Sequence, residues 1–537
     1  MNTLLNCILF LPAAGAVLLL FLPRQQPAAI RGLALGVSVV TFVLSLVLPF
    51  RFSAQTAGMQ FVTDLSWIDS LSIRYHIGVD GISLFLVLLV TFLSILCVLI
   101  SWRTIQEHTK EFFFFLLLLE TGTLGVFLSV DLFLFYVFWE VSLIPMYFLI
   151  GIWGHERRVY AATKFFLYTL FGSLLMLVAI IWLYNLSGTF DSERILSAIA
   201  SGTLVLSRTQ QIWLFLAFFI AFAVKVPLFP LHTWLPDAHV EAPTAGSVML
   251  AGVLLKMGTY GLLRLCLPLF PYAARELASA ISVLAVIGII YGGLVAMVQP
   301  NLKKLIAYTS VSHLGFVVLG IFSFHQTAVE GAVYQMINHG ITTGALFLLV
   351  GMIYERRHSH LIRDMGGLAT PAPALAVLFM IAALSSLGLP LLNNFVGEFL
   401  ILLGVWQVRS LYAVLAAAGV VLAVIYMLWM YQRVFLGEVR PENRNMPDLD
   451  RLEKGILIPA VVLMLLLGVC SPFFLRKMDA STMAILERVG GSEIHVQDDS
   501  PANRQRQAAR LMAPRNPASS LLPKNERSGE TVSGIAY

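Results

Sequence analysis

The feature that most limits this chain is its succession of apolar runs, each about as long as a bilayer is thick, with short polar breaks between them. A helix that crosses the hydrocarbon core needs about 20 mostly apolar residues. About fourteen runs qualify, near residues 3–22, 31–50, 79–101, 112–129, 131–152, 163–185, 210–230, 243–268, 277–299, 302–323, 330–353, 372–403, 411–435 and 455–475. The pattern predicts an all-α, polytopic membrane protein with its membrane domain over residues 1–480. Residues 481–537, polar and without an apolar period, read as a disordered tail.

Charge agrees with this class. Only 12% of the residues are charged, about half the share of a soluble domain, and 58% are hydrophobic. The net charge of +5 does not point to nucleic acid, because the basic residues sit in the breaks between apolar runs. Alternate breaks are unequal: Arg24, Arg31, Arg103, Lys110, Arg157, Arg158, Lys303, Lys304, Arg356, Arg357 and Arg363 collect on one side, with scattered ones such as Arg51 and Arg275 on the other. The positive-inside rule puts the first set in the cytoplasm, and an even helix count then puts both termini outside. The first run lacks a basic flank and reads as a retained helix. Cys7, Cys97, Cys266 and Cys470 stand singly, so no iron–sulfur or zinc motif is readable.

Two runs are interrupted. Lys225-Val-Pro227-Leu-Phe-Pro230 ends the seventh, and Gly388-Leu-Pro390-Leu-Leu-Asn393-Asn394 divides the twelfth. Proline removes a backbone donor and crowds the preceding turn, so a helix breaks or kinks there. The breaks are five helices apart, and adjacent five-helix units are necessarily inverted. Two inverted five-helix repeats with paired broken helices mark a transport pathway; two ordinary proline kinks are the plainer account.

Most charges mark loops, but Glu140, Lys225, Lys256, His313, His339 and Glu398 fall inside apolar runs. An acid or lysine at the bilayer centre costs roughly 2.5–3.5 kcal/mol and is found facing a bundle interior or a wet cavity. A structural ion pair explains one such residue more readily than four with two histidines at similar depth. Buried lysine and glutamate both shift toward neutral pH, where histidine already titrates, so these types suit a proton relay. His232, Asp237, His239 and Glu241 read as a polar loop, His358 and His360 as solvated, and Lys164 as snorkelling from the boundary. No motif for NAD, flavin, haem or ATP is present.

The run Lys225-Val-Pro-Leu-Phe-Pro-Leu-His-Thr-Trp-Leu-Pro-Asp-Ala-His-Val-Glu-Ala-Pro-Thr resembles a signature of the antiporter-like subunits of respiratory complex I. So do Leu302-Lys-Lys-Leu-Ile-Ala-Tyr-Thr-Ser-Val-Ser-His313 and Gly78-Val-Asp80-Gly-Ile-Ser, and the likeness extends over roughly residues 1–475. It implies a helix-five acid (Glu140) paired with a helix-seven lysine (Lys225), a central lysine (Lys256), axis histidines (His313, His339) and a terminal group (Glu398). L- and N-type relatives carry lysine at this last position, and a third type carries glutamate, as here. One departure is that Leu391 and Leu392 follow Pro390 where the family often has glycine.

The resemblance further implies a multi-pass protein of the bacterial inner membrane and proton movement driven by quinone reduction elsewhere. The expected partners are the L-type and N-type subunits and other membrane subunits. NAD, FMN, iron–sulfur clusters and quinone are expected on other chains, with no cofactor and no metal on this one. A subunit of a multisubunit Na⁺/H⁺ antiporter or membrane-bound hydrogenase is the alternative, and a structural scaffold is the rival of a different class.

Overall fold

The computed structural model describes residues 2–490. Its helices, in chain order, begin with α1 (Asn2–Phe21) and α2 (Pro27–Arg51), followed by an antiparallel hairpin of β1 (Gln60–Ile68) and β2 (Ile73–Val79). Then come α3 (Ser83–Thr104), α4 (Thr109–Leu128), α5 (Leu132–Trp153), α6 (Arg158–Ser187) and the short α7 (Ser192–Ala200). Next are α8 (Arg208–Lys225), α9 (Trp234–Glu241), α10 (Thr244–Leu269), α11 (Pro271–Met297), α12 (Leu302–Ile321) and α13 (Gln326–Arg357). The described chain closes with α14 (Pro373–Ser386), α15 (Asn393–Phe435), α16 (Arg451–Val469) and α17 (Ser471–Gly490).

The fold is an all-α membrane fold, as expected. Among the described residues, 12 helices are long and apolar enough to cross a bilayer. They are not equivalent. The apolar stretch of α13 is 100% buried and that of α10 94%, against 33% for α2 and α16. Hydrocarbon cannot solvate polar side chains, so the polar residues of α13 (Gln335, Asn338, His339, Thr342, Thr343) require this enclosed position. The peripheral helices instead show Phe, Leu and Val outward, where lipid accepts them.

Both runs expected to be interrupted are broken. α8 stops at Lys225 and the chain resumes as α9, while residues 387–392 separate α14 from α15. Arg409, with φ −147° and ψ 78°, then interrupts the 43-residue α15. At the second break Gly388 and Leu391 both have φ of +77°. The leucine thus holds a left-handed conformation in the stretch where the family often has glycine, and its backbone carbonyl lies against Gly468 of α16, where a side chain would collide.

Three readings are corrected. Residues 234–241 are not a loop: α9 forms there, turning His239 fully inward, because Pro236 occupies its first turn, where a missing N–H costs nothing, while His232 stays in the preceding turn. The boundary at residue 480 falls inside α17, whose Met478, Ser481, Thr482, Ile485 and Val489 are buried; its spaced apolar residues form one face too narrow to stand out as a run. Residues 491–537, the rest of the expected tail, lie outside the described residues. His360 is not solvated: it stacks on Tyr354 with ring centroids 4.3 Å apart, and burial followed by the charge of Lys303 lowers its pKa to about 2.

α17 lies against the start of α3. Ser481 Oγ accepts from the Gly81 amide at 3.0 Å, and a Cβ on Gly81 would strike the Lys477 carbonyl, so only glycine permits this approach. The hairpin is fastened to the bundle by His76, whose Nδ1 lies 2.7 Å from Asp191 Oδ2, and by the Val130 amide donating to the His76 carbonyl at 2.9 Å. Burial alone would lower the pKa of His76, but the hydrogen bond and charge of Asp191 outweigh it and raise the value. Asp191 is the mirror case: burial would raise its pKa, and the hydrogen bond from His76 lowers it instead.

Two expectations follow. Replacing Leu391 by glycine relieves a left-handed penalty of about 1–2 kcal/mol at a side chain that is 70% exposed, so L391G raises the thermal midpoint of the purified protein; a lower midpoint contradicts this account. The His76 contribution is fully present below the ordinary histidine pKa and is lost as pH rises through the raised value, while that of Asp191 is lost in acid. Intrinsic-rate-corrected amide exchange over residues 73–79 is therefore expected to accelerate as pH rises above the ordinary histidine range in the native protein and to lose that dependence in H76Q.

Candidate functional site

Four of the six expected residues form one continuous series through the enclosed helices. Lys256 of α10 directs its ammonium at the carbonyl of Ala251 and at Nδ1 of His339 on α13, 2.7 Å away. The His339 ring meets the His313 ring of α12 edge-on, with centroids 5.8 Å apart. His313 Nδ1 lies 2.6 Å from Glu398 Oε1 on α15, and Gln335 Nε2 donates to the same oxygen at 3.0 Å. Ser386 Oγ and Tyr426 Oη stand 3.5 and 3.4 Å from the other His313 nitrogen. All four residues are at most 3% exposed, so each charge relies on its neighbours rather than on water.

Local backbone irregularity places these groups. α10 contains two π-helical segments, Leu250–Leu254 directly before Lys256 and Leu262–Cys266 around Arg264. A wider turn is uncommon and concentrates where helices carry function. At the second break, Asn393 exchanges side-chain-to-backbone bonds with Asn338 at 2.8 and 3.1 Å, and its Oδ1 accepts from Ser385 at 2.6 Å. These bonds satisfy groups that the interruption frees and hold the start of α15, hence Glu398, against α13. Gly388 leaves the space beside the Glu398 carboxyl open.

Lys225 and Glu140 are arranged differently. The Lys225 ammonium, 1% exposed as a residue, has no hydrogen-bond partner and lies over the rings of Trp139 and Phe165, 5.4 and 5.3 Å from their centroids. Glu140 also keeps a buried oxygen without a partner, and no direct ion pair joins the two among the described residues. Their electrostatic coupling therefore acts across a gap. α10 passes close by: a Cβ on Gly258, two residues after Lys256, would meet the Phe222 carbonyl and the Val226 amide.

Other polar residues enclosed or half-enclosed beside this series were read from the sequence as loop or boundary residues or were not weighed. His239 stacks on Phe347 at 4.5 Å with neither ring nitrogen bonded, and the ring nitrogens of His232 are likewise unpartnered. Lys303, assigned to a cytoplasmic loop, is 1% exposed and donates to the Ala242 carbonyl at 2.7 Å. Glu120 of α4 is fully buried and accepts from Ser38 at 3.2 Å. Arg264 pairs with Asp80 at 3.3 Å. Lys164 pairs with Asp237 at 2.7 Å. The sequence signal for Glu120 was present, an acid after Phe112–Leu119, whereas Lys303 beside Lys304 imitates a loop. Among the described residues, no group of three or more His, Cys, Asp or Glu is placed to hold a metal ion.

Chemically, the series alternates groups that donate and accept protons, two hydrogen-bonded pairs joined by the edge-on contact of His339 and His313, enclosed from bulk water. That arrangement can pass protons along itself and can transmit a charge change from one end to the other.

A family model described as the membrane region of NADH:quinone oxidoreductase and Mrp antiporters matches residues 129–425, more than half of the chain. The chain belongs to this family. NADH-quinone oxidoreductase subunit M of Rhodobacter capsulatus is 48% identical over 481 residues, covering 87% of this chain and 93% of the relative. NADH-ubiquinone oxidoreductase chain 4 of Marchantia polymorpha is 42% identical, covering 90% and 97%. The respiratory complex I structure from Thermus thermophilus contains a chain that superposes with a TM-score of 0.83 at 33% identity, covering 91% of this chain and 100% of that one. An Mrp complex from a Dietzia species shares the family fold at 20% identity, with a TM-score of 0.79.

Lys256 and His339 lean on each other at 0% exposure, so removing one strands the other at a cost of about 1–3 kcal/mol. K256M and H339F are each expected to lower the thermal midpoint, and the double variant to be less unstable than the two losses added. Additive losses within about 0.5 kcal/mol refute the contact.

Proposed function

We propose that this chain is the proton-translocating M-type subunit of a bacterial NADH:quinone oxidoreductase, moving protons along the series from Lys225 through Lys256, His339 and His313 to Glu398. The observation that carries the reading is the unbroken run of contacts from Lys256 to Glu398 at zero to 3% exposure. The similarity to subunit M relatives supports the choice among family members. It is favoured over the antiporter alternative because the Mrp likeness is one of fold at 20% identity.

In this reading the two broken helices belong to inverted five-helix units. The protein crosses the bacterial inner membrane with both termini on the periplasmic side, beside the L-type and N-type subunits. NAD, FMN, iron–sulfur clusters and quinone stand on other subunits; this chain supplies the proton path. Glu140 acts on the Lys225 ammonium through space. Moving that carboxylate, or neutralising it, changes the field at a lysine that has no hydrogen bond to hold its proton. The proton then passes toward Lys256, from Lys256 to the imidazole of His339, and by way of the facing His313 ring to the Glu398 carboxyl, whose 2.6 Å bond to His313 is short enough for direct transfer.

Lys225→Ala and Glu140→Ala are the decisive variants. Each is expected to assemble into the complex while proton pumping in reconstituted vesicles falls to less than roughly a tenth of normal. Full pumping by either, in normally assembled complex, defeats the mechanism, and copurification with antiporter or hydrogenase subunits defeats the assignment.

A further inference from the structure

The proton path occupies the enclosed helices; a different feature lies on the outer face. A cleft of about 340 Å³ opens between α2, α3, α13, α16 and α17, lined by Phe42, Leu46, Leu88, Leu463, Leu466 and other apolar side chains. Its walls are hydrocarbon almost throughout, and the helices that form them lie at membrane depth. One end reaches Pro49, Phe50 and Phe473, and there the chemistry changes abruptly. Arg51 follows Phe50 as the last residue of α2, and Arg476 and Lys477 lie within a turn of Phe473 on α17.

Lys477 fixes this end. Its ammonium donates to the carbonyls of Pro49 and Phe52, at 2.9 and 3.5 Å, and lies over the Phe52 and Phe473 rings. Arg51 and Arg476 are exposed and take part in none of the ion pairs among the described residues. The nearest acid along α17, Asp479, is engaged by Gln326, which also bonds Glu330. Arg51, Arg476 and Lys477 thus follow the residues that close one end of an apolar cleft, three cations against the single nearby carboxylate of Asp479 on α17.

We infer that this cleft holds one anionic phospholipid, an acyl chain lying along the α2, α3 and α16 walls and the phosphate held at Arg51, Arg476 and Lys477. Long basic side chains near helix ends reach the interface, where headgroup phosphates lie. Arginine binds a phosphate in bidentate fashion, and a mouth with an excess of cations selects a net negative headgroup over a zwitterionic one. The inference does not depend on the proton path.

The test uses the assembled complex in its native membrane, with the photoreactive residue p-benzoylphenylalanine at Leu466 in the cleft and, as a bulk-lipid control, at Val421, 60% exposed on α15. After illumination, the mass of the adduct on this chain is read. Phosphatidylglycerol or cardiolipin adducts are expected at Leu466, several-fold enriched over phosphatidylethanolamine relative to Val421. The enrichment is expected to vanish in Arg51→Gln with Arg476→Gln, where no folded-state contact is removed. Phe473 serves as a second attachment point where the Leu466 variant does not assemble. Equal lipid ratios at the two positions overturn the proposal, as does a crosslink to a neighbouring protein subunit or enrichment that survives the double substitution.

Discussion

Hydrocarbon solvates neither a charge nor a free backbone group, and the whole arrangement answers that deficit. The helices richest in polar residues, α10, α12 and α13, are the ones most fully wrapped by other helices. Their charges meet one another, and the backbone groups freed at the breaks find side chains: Asn338 and Asn393 at one, and at the other the Trp234 indole donating to the Val224 carbonyl at 2.9 Å. Apolar helices such as α2 and α16 serve as a lipid-facing coat around this interior.

Within that interior, two kinds of buried charge coexist. Lys256, His339, His313 and Glu398 hold one another at hydrogen-bond distance or ring contact. Lys225 has no hydrogen bond and lies over aromatic faces, an attraction of about 2 kcal/mol or more when desolvated. A group bound by direct hydrogen bonds resists change, whereas one held by ring quadrupoles responds to any charge that approaches. The contrast sets Lys225 apart from the four residues that hold one another.

How much of this could be read from the sequence depended on what kind of signal each residue left. An ionisable residue inside an apolar run is visible wherever it occurs, which is why Lys256 and Glu398 stood out. Their partners were not visible as partners: Lys256 and His339 are 83 residues apart and His313 and Glu398 are 85 apart, so only tertiary packing brings them together. Local punctuation misled at His239, where Pro236 and Pro243 suggested a loop although a proline in the first turn is compatible with a helix. The β-hairpin over residues 60–79 left no expectation at all, since short alternating strands carry little weight beside bilayer-length runs. The interruption at Pro390 was legible, but its price in backbone conformation at Leu391 was not, because dihedral angles leave no mark on composition.

The π-helical turns of α10 have a consequence for how that helix can be compared with its own sequence. Each wide turn sets successive side chains at a smaller angle than an α-helix does, so the azimuth of everything downstream is offset. Lys256 emerges after one such offset and Arg264 within a second, so a helical wheel drawn through Thr244–Leu269 at constant phase assigns both to the wrong sectors. The helix behaves as three short rotors joined in series. A single-residue deletion in either wide turn would therefore rephase the charge beyond it while leaving the helix ends nearly where they are.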